Sequence, residues 1–453
     1  MRGFYFNTEL NTYYYNDMDG TVSHVKERKK DEFIFSNVAH SQISAPLVPT
    51  GKDISNHLSE NGFNQLTLVV TDGCNMRCKY CVYSGMYTNS REHTDHRMTL
   101  DIAKNSCDIY MDFFHKTARI HPLKTPTVGF YGGEPLMNFG VIKESVEYVN
   151  SKYKNVKYTI STNATLLTDE IIDFLVKHNF LLAISLNGNE EENDRLRVFE
   201  GGIGTYAIVM EKLKHLEELY PSYCANCVLL CTIDPGTNII ALADFFENGE
   251  FSQYKLVRLS QVFDGFTNWY GQYSDERINK YRNEINLMRE KYLKKLINGE
   301  PVNNFEKVTF ELEYKNVLNR SINICSENIR PLFIGKTGLC VPGSKTAVSP
   351  NGAFHICERI NYSRPIGNHI SGYDFDMIAK LIKEYNEIIF KCHRCPIERL
   401  CSNCYVENIE RDGSFIEPNE SSCEKKRKNQ IRNFIEIFGV LEKGFDPYHM
   451  LII

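Results

Sequence analysis

Leu66-Thr-Leu-Val-Val70-Thr-Asp-Gly-Cys74-Asn-Met-Arg-Cys78-Lys-Tyr-Cys81 joins an apolar, strand-like run to a tight loop carrying three cysteines spaced x3 and x2. Three thiolates can hold three irons of a cubane cluster and leave the fourth iron without a protein ligand. Closed four-cysteine sites are structural or pass electrons, whereas an open position lets a small molecule chelate and be activated. A zinc loop lacking its fourth ligand is the bland reading of the same spacing.

Working outward, apolar strand-like runs recur at 66–70, 128–131, 158–161, 181–186, 228–233 and 256–259. Segments of helical period separate them at roughly 99–118, 140–153, 168–179, 204–219 and 237–248. Six strands alternating with helices predict a parallel sheet with right-handed crossovers, either a partial barrel or a doubly wound sheet. In such folds chemistry collects at the carboxyl ends of the strands. The three cysteines follow the first run and Gly132-Gly133-Glu134-Pro135 the second, while Ser161-Thr162-Asn163 and Ser185-Leu186-Asn187-Gly188 close the third and fourth. Glycines without Cβ atoms permit close backbone approach to a ligand, and Glu134 can accept hydrogen bonds from an ammonium group.

The 453-residue chain is 42% hydrophobic and 24% charged, an ordinary globular balance that its length divides into two or three domains. A net charge of −5 argues against a nucleic-acid binder. No apolar stretch reaches the length of a membrane span, and the start, Met1-Arg-Gly-Phe-Tyr-Phe6, lacks the pattern of a signal peptide. Fifteen cysteines without an export signal predict reduced thiols in the cytoplasm, available to metals.

Residues 1–62 are rich in aromatics and turn formers and read as a β-rich segment with a turn at Met18-Asp-Gly20. Such a segment either caps the main core or recognises a peptide at a strand edge. Residues 266–336 read as a charged helical bridge containing a lone Cys325. Cys340, Cys357, Cys392, Cys395, Cys401, Cys404 and Cys423 then form a second metal-binding region within residues 337–435, followed by a tail over 436–453. In isolation Cys392-x2-Cys395-x5-Cys401-x2-Cys404 fits a compact zinc site, but seven cysteines exceed one tetrahedral ion. Cys107, Cys224, Cys227 and Cys231 read as core or surface thiols.

Cys-x3-Cys-x2-Cys with Tyr80 before the last cysteine, followed by Gly-Gly-Glu-Pro, resembles the radical SAM superfamily. The resemblance implies an α/β partial (β/α)6 TIM-type barrel over residues 63–265, with a 4Fe-4S cluster on Cys74, Cys78 and Cys81. That cluster binds S-adenosylmethionine and cleaves it reductively to a 5′-deoxyadenosyl radical, chemistry that belongs to the cofactor. It further implies that Gly132, Gly133, Glu134 and Pro135 hold the methionyl amine, and that Thr162, Asn163 and Ser185 contact the ribose or carboxylate.

The downstream cysteines resemble the SPASM domain. That resemblance implies one auxiliary 4Fe-4S cluster on Cys340, Cys357 and Cys404, with Cys325 the candidate fourth ligand. A second auxiliary cluster falls to Cys392, Cys395, Cys401 and Cys423. The spacing Cys401-x2-Cys404 departs from the x3 of many members. Such proteins mostly modify peptides or proteins, and the Val82-Tyr-Ser-Gly85 extension is similar to maturases of cysteine-rich peptides and ranthipeptides.

The leading expectation is therefore a peptide maturase. It installs thioether crosslinks in a Cys-containing precursor peptide and is reduced by a flavodoxin or ferredoxin. The alternatives are carbon–carbon crosslinking, epimerisation, an anaerobic sulfatase-maturing enzyme, or a non-catalytic zinc or iron–sulfur module. Sulfatase-maturing enzymes place an Asp base directly after the cysteine matching Cys357, where this chain has Glu358. A surface salt bridge with Arg359 or a neighbour is the bland role for that carboxylate.

Overall fold

The computed structural model describes residues 2–26, 33–34, 47–249, 254–320, 333–334 and 339–451. Cys325 and its proposed role as a cluster ligand lie outside them.

Six parallel strands form the core: β5 (Gln65–Thr71), β6 (Thr127–Gly132), β7 (Lys157–Thr162), β8 (Leu181–Ser185), β9 (Val228–Ile233) and β10 (Lys255–Gln261). They lie side by side in chain order. Helices Leu100–Ile120, Phe139–Lys152, Asp169–Lys177, Tyr206–Leu219 and Ile239–Asn248 occupy the connections. Three of these five begin at a side-chain cap, Thr99, Thr168 or Asn238, which accepts a hydrogen bond from a first-turn amide left unpaired by the helix.

The alternation along each strand explains why the barrel is hollow. Leu66, Leu68, Val128, Ile160, Leu182, Ile184 and Leu229 are buried in one apolar core, each worth about 1.5–3 kcal/mol of burial. The intervening residues are small or polar and line a cavity instead: Thr67, Gly129, Thr159, Ser161, Ala183, Ser185, Thr232 and Ser260 among them.

The sheet continues beyond β5. β11 (Lys345–Val348) pairs with β5 in parallel, and β12 (Ala353–His355), β13 (Gly367–Asn368) and β14 (Gly372–Tyr373) follow as antiparallel neighbours. The cysteine-rich region is thus joined to the barrel by backbone pairing at its first strand.

The N-terminal strands β1 (Gly3–Asn7), β2 (Thr12–Asn16), β3 (Val22–Val25) and β4 (Phe33–Ile34) form a separate sheet in the order β3-β2-β1-β4. Phe4, Phe6 and Tyr15 pack with Phe434, Ile437 and Val440 of the helix Glu420–Glu442, and with Tyr292 and Leu296 of the helix Asp275–Asn298. Two details differ from the sequence reading. Residues 51–61 are helical, started by a capping box of Thr50 with Asp53, and the boundary drawn at 435 falls inside the helix Glu420–Glu442. Among the described residues no helix is long and apolar enough to cross a membrane.

Candidate active site

The cysteine loop leaves β5 at the carboxyl end of the barrel. Cys74, Cys78 and Cys81 line a cavity of about 520 Å³ together with residues 132–134, Thr162, Asn163, Ser185 and Glu358. Folding thus brings these candidate residues to one cavity, while Pro135 starts the short helical turn Pro135–Asn138 beside it.

The two glycines serve the loop rather than an open space. A Cβ on Gly132 would collide with the Thr71 carbonyl, and one on Gly133 with the Gly73 carbonyl. Their absence lets the Gly133 amide donate to Thr71 O at 2.9 Å and the Glu134 amide to Gly73 O at 2.9 Å. Glu134 itself points into the protein. Its Oε1 accepts from Thr162 Oγ1 at 2.6 Å and Leu136 N at 3.1 Å, and its Oε2 accepts from Asn163 N at 2.7 Å. Burial raises its pKa, and these hydrogen bonds oppose the rise. The carboxylate therefore buckles the ends of β6 and β7 together. Asn163 extends the buckle by donating from Nδ2 to Asn75 Oδ1 in the cysteine loop at 2.9 Å.

Around the thiols lie groups that sequence reading missed. Arg197 is buried, lines the cavity and donates to the Tyr80 hydroxyl at 2.9 Å. His93 Nδ1 lies 2.9 Å from the Asp72 carbonyl, which fixes the tautomer and leaves Nε2, 3.7 Å from Cys81 Sγ, as an acceptor. Burial pushes the Cys74 thiol up to about 12 and that of Cys81 to about 11. Metal binding must displace those protons, so loading is pH-dependent.

Glu358 forms its salt bridge with Lys345 rather than with Arg359. Its carboxylate meets Lys345 Nζ at 2.9 Å, and its backbone carbonyl accepts from Tyr83 Oη at 3.0 Å and Arg91 at 3.1 Å. The Arg91 guanidinium lies over the rings of Tyr83 and Tyr362, at 4.0 and 4.6 Å. This strap ties the loop after Cys81 to the segment holding Cys357.

The C-terminal thiols gather in groups. Cys340 lies within electrostatic reach of Cys357 and Cys404, and Cys401 within reach of Cys395 and Cys423. Cys357, Cys392 and Cys404 pack against the barrel core, whereas Cys395 and Cys401 pack against the core beneath the N-terminal sheet. That sheet braces the second group: Arg2 donates to the His393 carbonyl at 2.7 Å, and Asp17 accepts from the Arg399 amide at 3.2 Å. Among the described residues no three His, Cys, Asp or Glu side chains converge on a single ion. Cys107, Cys224, Cys227 and Cys231 are buried in the core.

Residues 68–247 match the family model described as the radical SAM superfamily. A cysteine-type anaerobic sulfatase-maturating enzyme of Clostridium novyi is 27% identical over 185 residues, covering 40% of this chain and 47% of that one. The chain thus spans about half the length of that relative. The radical SAM cyclopropyl synthase TigE of Paramaledivibacter caminithermalis is 24% identical over 383 residues, covering 82% of this chain and 74% of that protein. Among solved structures, native anSMEcpe with bound AdoMet and Cp18Cys peptide superimposes with a TM-score of 0.56 at 19% identity, covering 83% of this chain and 99% of that one. At that identity the likeness is one of fold. Over residues 68–247 the chain is therefore similar to the radical SAM superfamily.

Proposed function

We propose that the protein is a peptide maturase that installs thioether crosslinks, joining a cysteine sulfur to a carbon of a ribosomally made precursor. One observation carries the reading: a single cavity runs from Cys74, Cys78 and Cys81 to Lys345, Glu358 and Arg359, beside Cys357. A substrate held there is in reach of both cysteine regions.

In this reading Cys74, Cys78 and Cys81 would hold a 4Fe-4S cluster, and residues 132–135 would receive the amine of S-adenosylmethionine. The loaded pair supplies one-electron cleavage and hydrogen-atom abstraction. The chain's own residues align and shield. Glu134 and Asn163 fix the rim, Arg197 offsets negative charge at the thiols, and the polar barrel wall admits a polar guest. Each thioether removes one hydrogen from carbon, one proton from the thiol and one electron, so an electron acceptor is needed. Cys340, Cys357 and Cys404, and Cys392, Cys395, Cys401 and Cys423, are the candidate holders of auxiliary clusters that accept it. A flavodoxin or ferredoxin is the proposed electron donor.

Oxidation of a sulfatase cysteine or serine to formylglycine is the second reading. It is favoured by the cavity-facing Glu358 carboxylate next to Cys357 and by the sulfatase-maturating relative. Mass spectrometry of candidate peptides after anaerobic turnover separates the two. A loss of two hydrogens with the thiol blocked to alkylation supports the thioether. An aldehyde trapped by a hydrazide supports formylglycine instead, and unchanged thiols together with no trapped aldehyde reject both.

A further inference from the structure

The charges around the cavity do not balance. Four cations line it, Arg197, Arg258, Lys345 and Arg359, against two carboxylates, Glu134 and Glu358. Lys345 is matched by Glu358 at 2.9 Å. Arg197 lies against the thiols, where Cys78 and Cys74 both act on its guanidinium. Glu134 is enclosed by its three donors.

Arg258 and Arg359 remain. Arg258 projects from β10, the last barrel strand, where its Nε donates to Ser260 Oγ at 2.9 Å. Neither arginine meets a carboxylate among the described residues. Among the described residues Arg258 is the one cation on the wall formed by the six strands' inward residues, and Arg359 stands beside Glu358 at the cysteine-rich end.

A guest that fills the cavity strips water from both guanidiniums, and an unpaired charge in a drying site is strongly disfavoured. Arginine's planar fork is matched by a carboxylate, which it binds in bidentate fashion. We infer that the substrate segment entering the barrel bears an acidic side chain, Asp or Glu, held by Arg258 and Arg359. These two residues thereby select acidic peptides. The inference rests on the peptide-substrate reading above and adds the chemistry that reading leaves open.

The test uses the full chain, anaerobically reconstituted and saturated with S-adenosylmethionine. Three fluorescein-labelled peptides are compared by anisotropy: one with Asp and Glu flanking a cysteine and an amidated C-terminus, its Asn/Gln twin with the same amide, and that twin with a free C-terminal carboxylate. The acidic peptide binds about tenfold or more tighter than its amidated twin, as loss of a charge-assisted hydrogen bond implies. The preference shrinks as KCl rises. Arg258→Gln with Arg359→Gln abolishes it, while Arg258→Lys, which keeps the charge, retains part of it.

Equal binding of the acidic peptide and its twin overturns the inference but leaves the peptide reading standing. So does a preference that survives the double substitution, or one that follows the free C-terminus instead of the side chains. If the double variant loses S-adenosylmethionine binding while keeping the peptide preference, the arginines serve the cofactor and the inference fails. Absence of binding by all three peptides removes the peptide reading, and the inference with it.

Discussion

Replacing Glu134 with Gln tests whether that carboxylate closes the rim of the site. Three donors converge on it: Thr162 Oγ1 and Leu136 N on one oxygen, Asn163 N on the other. An amide offers one acceptor oxygen, so whichever way it turns, one backbone N–H faces an NH2 group. Losing a hydrogen bond to a charged acceptor costs about 1.5–3 kcal/mol, and stranding a buried donor adds about 1–3 kcal/mol. The sum falls on two short segments, because the buckle joins the end of β6 to the end of β7 and reaches the cysteine loop through Asn163 and Asn75. Global unfolding is a poor readout for a chain of this size. Hydrogen exchange by mass spectrometry reads the site directly: amides in 132–138 and 160–166 should exchange at least about tenfold faster in the variant. Exchange in the N-terminal sheet stays unchanged. Wild-type protection in both segments would refute the buckle, and Glu134 would then be free to serve a ligand.

Gly133→Ala places a methyl group against the Gly73 carbonyl, so it should lower iron bound by the cysteine loop without unfolding the barrel, read by iron content and circular dichroism. The single tryptophan, Trp269, is buried in a small cluster that includes Tyr80. Its emission should be quenched when iron and sulfide load the first loop, and unaffected by loading in a chain lacking Cys74, Cys78 and Cys81. Asp17 shares Arg2 with Glu398, at 2.9 and 3.1 Å, and burial raises its pKa from 3.8 to about 7. The folded chain therefore keeps a proton that the unfolded chain releases. Stability should fall as pH rises from about 4 to about 7, by up to ~1.4 kcal/mol per pH unit. Asp17→Asn should remove that slope from the melting of the N-terminal sheet, and an unchanged slope would assign the titration elsewhere.

The barrel was legible in the sequence because each strand pairs an apolar outward row with a turn-rich end, and each helix shows its own period. The cysteine loop and the Gly-Gly-Glu-Pro rim were legible because both follow strands at the same end. What escaped depends on long-range pairing. β11 is four residues long, and nothing in Lys345–Val348 announces that it pairs with β5, nearly three hundred residues earlier. The donors that enclose Glu134 were not legible because Thr162 and Asn163 come from the end of the next strand. Arg197 lies in an irregular segment with no period to place it. Arg258 did leave a signal, a cation in the middle of the strand Lys255–Gln261, whose other cation, Lys255, stands at its first position; Leu259 packs against the core, which turns Arg258 to the other face. The helix at 51–61 was signalled by Thr50 with Asp53 and was overlooked beside the aromatic strands.

The first cysteine loop is proposed to generate radicals from S-adenosylmethionine. Anaerobic reconstitution followed by reduction in the presence of that cofactor measures it most directly. Three clusters require about twelve irons per chain, and 5′-deoxyadenosine should form and should disappear when Cys74, Cys78 or Cys81 is replaced by Ala. Bound zinc without cleavage, or cleavage that persists without those thiols, would contradict it.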